Sequence, residues 1–250
     1  YVLYRGLPNV TPALLTQSDS VLKGTMGIFP LIVNTLCVIV LSLLIALPLG
    51  VGAAIYLTEY ATNQKLIRII EYTTETLAGI PSIVYGFFGL TVIVPAIRNG
   101  LGGSGSSMLA ASVVLGIMIL PTIINVSESA IRAVPESYYE GSLALGASHE
   151  RSVFFTVLPA AKSGVFAAVI LGMGRAVGET MAVIMVAGNQ TAMPGGPLQG
   201  LRTLTANIVL EMAYAADLHC GALIATAVVL FVFILIINLS FSLLKRRAKL

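Results

Sequence analysis

Apolar residues run through this chain in long blocks, and the polar residues gather in the gaps between them. The blocks cover Gly24–Thr58, Thr76–Ile97, Leu101–Ser127, Ser163–Gln190 and Cys220–Leu244. Crossing a ~30 Å hydrocarbon layer takes about 20 helical residues, so the pattern predicts an all-α polytopic membrane protein with five visible spans. The fourth block is interrupted by Arg175 and Glu179. In the first, Pro30 and Pro48 are expected to mark an end or a kink. An odd number of spans puts the two termini on opposite sides.

Composition removes the soluble alternatives. Hydrophobic residues make up 57% of the 250 positions and charged ones 10%, against about a quarter charged in soluble domains. Basic loops are retained in the cytoplasm, which places the tail Lys245, Arg246, Arg247 and Lys249 inside. Lys65, Arg68, Arg132, Arg151 and Lys162 then also fall inside, and Arg5, Lys23, Arg98 and Arg202 outside. This leaves residues 1–23 outside with no earlier span to carry them there, so a further span upstream is expected. The segment Arg5–Lys23 lacks the charged start and apolar centre of a signal peptide. The net charge of +3 reports topology and attraction to anionic lipid, and gives no reason to invoke nucleic acid. Cys37 and Cys220 have no metal-ligand spacing and form no disulfide framework. They read as small packing residues.

Two loops stand out. Residues 133–162 read as a cytoplasmic helix-turn-helix. Pro135 suits a helix start because its missing N–H would be unpaired there anyway, and Glu136 and Glu140 suit the first turns by charge. Gly146 supplies a tight turn, Ser148 caps the next helix, and Val153, Phe154 and Val157 give that helix an apolar face up to Pro159. Such an element is either a knob for a partner's groove or an amphipathic connector on headgroups. Residues 189–219 read as the long outer loop. A helix over Thr203–Ala216 with Leu204, Ile208 and Met212 on one face either caps the bundle or meets an outside partner.

The glycines around Gly102 and Gly174 tempt nucleotide readings, but no Gly-Lys-Ser/Thr ending or preceding strand accompanies them. Gly174 and Gly178 are expected to serve close helix packing instead. No catalytic or metal-binding set is present and no motif hydrolyses a nucleotide, so the energy comes from another subunit or from a gradient. Arg175 and Glu179 are the candidate functional pair, because an ionisable group in the membrane is costly and seldom faces lipid. Four residues apart on a helix, they are expected to share a face and pair. That pair reads either as a packing element or as part of a path, with the planar donor fork of Arg175 meeting an oxyanion. Pro81 is read as a kink inside the second span or as an ordinary membrane-helix proline. Glu75 and Glu128, near the inner ends of spans, are read as solvated at headgroup level, with a role in transport as the alternative.

Residues Glu140, Gly146, Leu158 and Pro159 carry the spacing of the coupling loop of ABC importer permeases, with Gly141 and Ser142 replacing two alanines and Thr156 an isoleucine. Leu77–Leu90, Leu120–Ile124 and Gly174–Val183 resemble the permease subunits of phosphate-specific ABC importers, the C-type subunit more than the A-type. The resemblance implies one permease domain over 1–250, six spans of which five are visible, and a prokaryotic cell-membrane location with a cytoplasmic C-terminus. It implies ATP and Mg held by two ATP-binding subunits that dock on Glu140, Gly141, Ser142, Gly146, Leu158 and Pro159. It also implies a sibling permease subunit, an extracytoplasmic phosphate-binding protein and surrounding lipid. The implied activity is phosphate translocation by alternating access without bond chemistry. An ABC permease for sulfate, molybdate or nitrate, or an ion-driven secondary transporter, are the alternatives.

Overall fold

The structure is a computed structural model that describes residues 2–20, 25–215 and 217–247. Lipid offers the backbone no hydrogen-bond partner, so each apolar block satisfies its peptide groups internally by becoming helix. Short helices α1 (Val2–Gly6) and α2 (Pro12–Thr16) and an antiparallel pair, β1 (Ser18–Ser20) and β2 (Thr25–Ile28), precede the first long helix. Helix α3 (Phe29–Ile55) runs on through a wide turn at Tyr56–Tyr60, followed by α4 (Gln64–Gly79), α5 (Ser82–Phe88), α6 (Val94–Leu101) and α7 (Met108–Arg132). Next come α8 (Glu136–Ala144), α9 (His149–Ser152), α10 (Leu158–Gly178), α11 (Met181–Val186), α12 (Leu204–Met212) and α13 (Asp217–Arg247).

Among the described residues, five helical segments are long and apolar enough to cross a membrane: Phe29–Tyr60, Ser82–Leu101, Met108–Arg132, His149–Gly178 and His219–Ser240. The number agrees with the expectation and the boundaries move. The second span starts at Ser82 instead of Thr76, because Pro81 forces Ile80 into extended backbone (φ −70, ψ 130) and ends α4. Pro81 is therefore a boundary and not a kink within the span. The third starts at Met108, since Gly102, Gly103 and Gly105 all have positive φ and Arg98 clasps the Ser104 carbonyl through Nε and Nη2 at 3.0 and 2.8 Å. The fourth begins at His149 and ends at Gly178, well short of Gln190. Pro30 occupies the second position of α3 and Pro48 lies inside it. Tyr1, Lys23 and Lys249 lie outside the described residues.

The chain forms two compact units. The first comprises residues 1–42, 81–116 and 174–239. Its core gathers Leu14, Ile28, Leu31, Leu204 and Ala225, and α11 lies against α5, where Gly86 faces the Ala182 backbone so closely that an added Cβ would sit 2.9 Å from its Cα. The second unit comprises 43–80, 117–173 and 240–250, with cores of Ala54, Ile131, Val157 and Ala161 and of Leu57, Ile67 and Ile124. Arg132 bonds Glu128 at 2.8 Å and reaches Glu71 of α4 at 3.8 Å. Glu128 is thus an ion-pair member and nearly buried, where headgroup-level solvation was the favoured expectation.

Close packing of α10 uses other glycines than the expected Gly174 and Gly178, which face open space within this chain. A Cβ at Gly164 would collide with that of Ala130 on α7, and Gly172 faces Ile123 at 3.2 Å. Overpacking of such a contact costs about 1–3 kcal/mol. Gly164→Leu should therefore lower the melting temperature of the detergent-purified chain markedly, while Gly174→Ala leaves it nearly unchanged. Equal melting of the two variants contradicts the packing described.

Candidate functional site

The helix-turn-helix forms where expected, and local chemistry explains each step. Extended Pro135 precedes α8, and Leu145 leaves the helix at its other end. There the Ala147 N–H donates to the Ser142 carbonyl at 3.2 Å and the Gly146 N–H to that of Leu143 at 2.9 Å. This double closure requires a left-handed residue between, and Gly146 has φ +85. Space around Gly146 is open, so a side chain is excluded by backbone conformation and not by crowding. Ser148 then caps α9, its Oγ accepting from the Arg151 N–H at 3.4 Å.

Beyond that cap the helix does not stop at Pro159, contrary to expectation. It widens over Val153–Val157 and continues as α10. The wider turn gives the ring of Pro159 room and makes its missing N–H harmless. The separate second helix of the motif is thus the first part of the fourth span. Among the expected docking residues, Glu140, Gly141, Gly146 and Pro159 are exposed, Ser142 is half-buried, and Leu158 packs beside Ala54 and Ile131. The departures from the family spacing sit together: the Ser142 hydroxyl accepts from Ser152 at 3.0 Å and from Thr156 at 3.4 Å. Leu145 is 91% exposed and Phe155 77%, which leaves apolar surface unspent on this chain.

His149 is a residue that sequence reasoning missed. Its Nδ1 lies 2.8 Å from the Tyr139 hydroxyl of α8, and its ring meets that of Tyr60 edge-on at 4.9 Å. One imidazole therefore ties the turn's two helices to the end of α3, beside a cavity of about 480 Å³ lined partly by Glu59, Arg132 and Glu136. No short-range pattern could signal a contact between Tyr60 and His149.

Arg175 and Glu179 do not pair. Helix α10 ends at Gly178, and the Glu179 side chain turns forward: its Oε1 accepts the Thr180 N–H at 3.1 Å and the Ala182 N–H at 3.2 Å, starting α11. The Glu179 carbonyl accepts the Thr205 hydroxyl at 3.0 Å. Half-buried Arg175, in the last turn of α10, makes no ion pair or side-chain hydrogen bond among the described residues, and its charge acts on the Tyr85 hydroxyl of α5. A broken span, its freed backbone groups and a cation thus occur within five residues, flanked on both sides by apolar helix.

The long segment 189–219, expected outside, packs back onto the first long helix. Leu204 is fully buried and its N–H donates to the Thr35 hydroxyl of α3 at 3.0 Å, while Asn34 donates to the Ala192 carbonyl at 3.1 Å. Arg202 holds the Asn189 carbonyl at 3.1 Å and pairs with Glu211 at 2.6 Å. The start of α12 therefore packs into the bundle, whereas Val209 and Met212 remain exposed. The polar pair Asn34-Thr35 inside an apolar block was the available signal for this contact.

Residues 46–250 match the family described as binding-protein-dependent transport system inner membrane component. The probable ABC transporter permease protein YqgH of Bacillus subtilis is 45% identical over 189 residues, 75% of this chain and 61% of the relative. The phosphate transport system permease protein PstC 1 of Mycobacterium tuberculosis is 36% identical over 207 residues, 74% of this chain and 61% of the relative. That named PstC in Haemophilus influenzae is 35% identical over 239 residues, 88% and 75% of the two chains. The chain spans 61% of the length of the first two relatives. An inward-facing structure of the MetNI methionine ABC transporter superposes with a TM-score of 0.69 at 20% identity, covering 86% of this chain and 93% of that one. At that identity the likeness shows the fold.

Glu179→Gln keeps a carbonyl oxygen able to accept both N–H groups, whereas Glu179→Ala removes the acceptor. Loss of a helix cap costs about 0.5–2 kcal/mol. The alanine variant should melt measurably below the parent in detergent and the glutamine variant beside it. Identical melting of all three would remove the cap from this account.

Proposed function

The chain belongs to the family of binding-protein-dependent transport system inner membrane components, and on that premise we propose that it is the membrane-spanning permease subunit of an ATP-driven phosphate importer. Membrane transport, and not catalysis, is what such subunits perform, and nucleotide binding in such systems lies on a separate subunit. The observation that carries the reading is the turn at Gly146. Its left-handed backbone and the Ser148 cap hold α8 against the start of the fourth span, while Leu145 and Phe155 stand exposed. An ATP-binding subunit that closes on nucleotide takes this knob in its groove. Glu140, Gly141, Ser142, Gly146, Leu158 and Pro159 are the docking residues, and movement of α8 passes directly into the helix that carries Arg175. The alternating-access cycle then needs only two arrangements whose relative populations nucleotide shifts.

Phosphate as the substrate draws support from relatives named for phosphate transport. Arg175 lines the path and offers its fork of donors to the dehydrated anion. Glu179 acts differently from the expected counter-ion: it holds the helix open so that Arg175 ends a span instead of lying buried within one. The reading includes one permease domain over residues 1–250, with 133–162 and the C-terminus on the cytoplasmic side and 189–219 outside. A sibling permease subunit completes the path, and an extracytoplasmic phosphate-binding protein delivers the anion.

The test is reconstitution with the candidate ATP-binding subunits and binding protein, measuring ATP-dependent uptake of labelled phosphate. Excess unlabelled phosphate should abolish uptake and sulfate should leave it, whereas competition by sulfate selects a different oxyanion. Arg175→Lys keeps the charge and loses the bidentate geometry, so uptake should fall by about tenfold or more with assembly intact. Transport by that variant at the parental rate refutes contact between Arg175 and the anion.

Placing a leucine in a left-handed conformation costs roughly 1–2 kcal/mol. Gly146→Leu should therefore leave the protein in the membrane while phosphate-stimulated ATP hydrolysis and co-purification of the ATPase both decline. Normal values for both would take the turn out of the mechanism.

A further inference from the structure

Helix α4 carries charge and aromatic surface that transport leaves unused. Lys65, Arg68, Ile69 and Tyr72 recur at spacings of three and four, so they stand on one face, and with Gln64 they line a shallow cavity of about 340 Å³. Ile69 is 61% exposed and Tyr72 62%. The opposite face is occupied: Ile67 packs with Leu57 and Ile124, Thr74 is buried, and Glu71 is drawn toward Arg132. No carboxylate pairs with Lys65 or Arg68 among the described residues. Both cations also stand near the positive end of their own helix, where the backbone dipole disfavours them. Among the described residues no carboxylate offsets that arrangement.

The packing of Ile67 fixes the level of this face. Its two neighbours mark where apolar spans turn polar: Leu57 stands two residues before Glu59 on the first span, and Ile124 stands four residues before Glu128 on the third. Lys65 and Arg68 flank Ile67, so they lie where hydrocarbon gives way to headgroups. Tyrosine is at home at this level, with its ring in the apolar layer and its hydroxyl in water, and the two cations need an anion whose neighbouring atoms are apolar.

We propose that the Lys65–Arg68–Tyr72 face of α4 is a binding site for the phosphate headgroup of an anionic phospholipid in the cytoplasmic leaflet. Lys65 and Arg68 donate to the phosphodiester oxygens, Gln64 and Tyr72 offer hydrogen bonds to the remaining polar atoms, and Ile69 lies along the glycerol and upper acyl chain. A zwitterionic lipid brings its own cation to the same two side chains and is held less well. The site rests on α4 facing the cytoplasmic leaflet and is independent of which anion is transported.

The test uses the assembled transporter in phosphatidylcholine vesicles containing a minor share of phosphatidylglycerol, with a photoreactive trace of one lipid or the other. Photoreactive phosphatidylglycerol should label residues 64–72, phosphatidylcholine should not, and millimolar inorganic phosphate should leave the labelling unchanged. Each basic residue near an anionic surface contributes a factor of about five, so Lys65→Gln with Arg68→Gln should reduce labelling by about thirtyfold. Lys65→Arg with Arg68→Lys should retain it and show that the helix is still in place. Equal labelling by the two lipids, or loss in the charge-conserving variant, overturns the proposal. Displacement by inorganic phosphate points to a free-anion site and overturns it, and so does absence of labelling in the assembled transporter, which means that a subunit covers the face.

Discussion

Every peptide group that leaves a helix inside a membrane needs a new partner, because lipid supplies none. The interruption after Gly178 meets that demand with side chains from this chain. The Glu179 carboxylate takes two N–H groups of the next helix and Thr205 supplies a proton to the Glu179 carbonyl. The Thr35 hydroxyl oxygen in turn accepts the first free N–H of α12, that of Leu204. Remove these contacts and the break leaves polar backbone groups that lipid cannot satisfy. With them, α10 ends one residue before Glu179 and leaves Arg175 in its last turn. A guanidinium at a helix end, beside opened backbone, can exchange partners as an anion passes. A cation in the middle of an unbroken lipid-facing helix has no such freedom.

The same helical segment begins at the turn on which the docking reading rests. Ser148 caps it, His149 ties it to Tyr139 and Tyr60, and the hydroxyls of Ser142, Ser152 and Thr156 join α8 to its first turns. Polar contacts here replace the apolar ones that alanine and isoleucine at these positions would make. The junction is therefore held by directional bonds, which resist rotation of α8 about the helix more than a smooth apolar contact would. On the proposed reading, force applied to α8 reaches the start of α10 through these bonds.

Features governed by local chemistry were legible in the sequence. Five spans follow from apolar length, and the turn follows from Pro135, Gly146 and Ser148, each of which acts on its own or adjacent backbone. Boundaries were less legible because hydropathy is blind to conformation: Thr76 and Leu77 are as apolar as span residues require, but Pro81 little more than one turn later removes them from the span. The pairing of Arg175 with Glu179 failed for a related reason. Spacing by four presumes an unbroken helix, and once Gly178 ends α10 the carboxylate bonds the N–H groups ahead of it. His149 with Tyr60 and Arg202 with Glu211 depend on tertiary placement and left no periodic trace.

The central claim is that the Glu179 break opens onto a water-filled path that phosphate enters. Its most direct measurement is the rate at which a membrane-impermeant, water-soluble thiol reagent modifies a cysteine placed at Thr180. The background is Cys37→Ala with Cys220→Ala, in the assembled transporter, with and without phosphate. The account predicts ready modification that inorganic phosphate slows and sulfate does not. A cysteine that stays unmodified in every nucleotide state, or one whose modification is indifferent to phosphate, would contradict it.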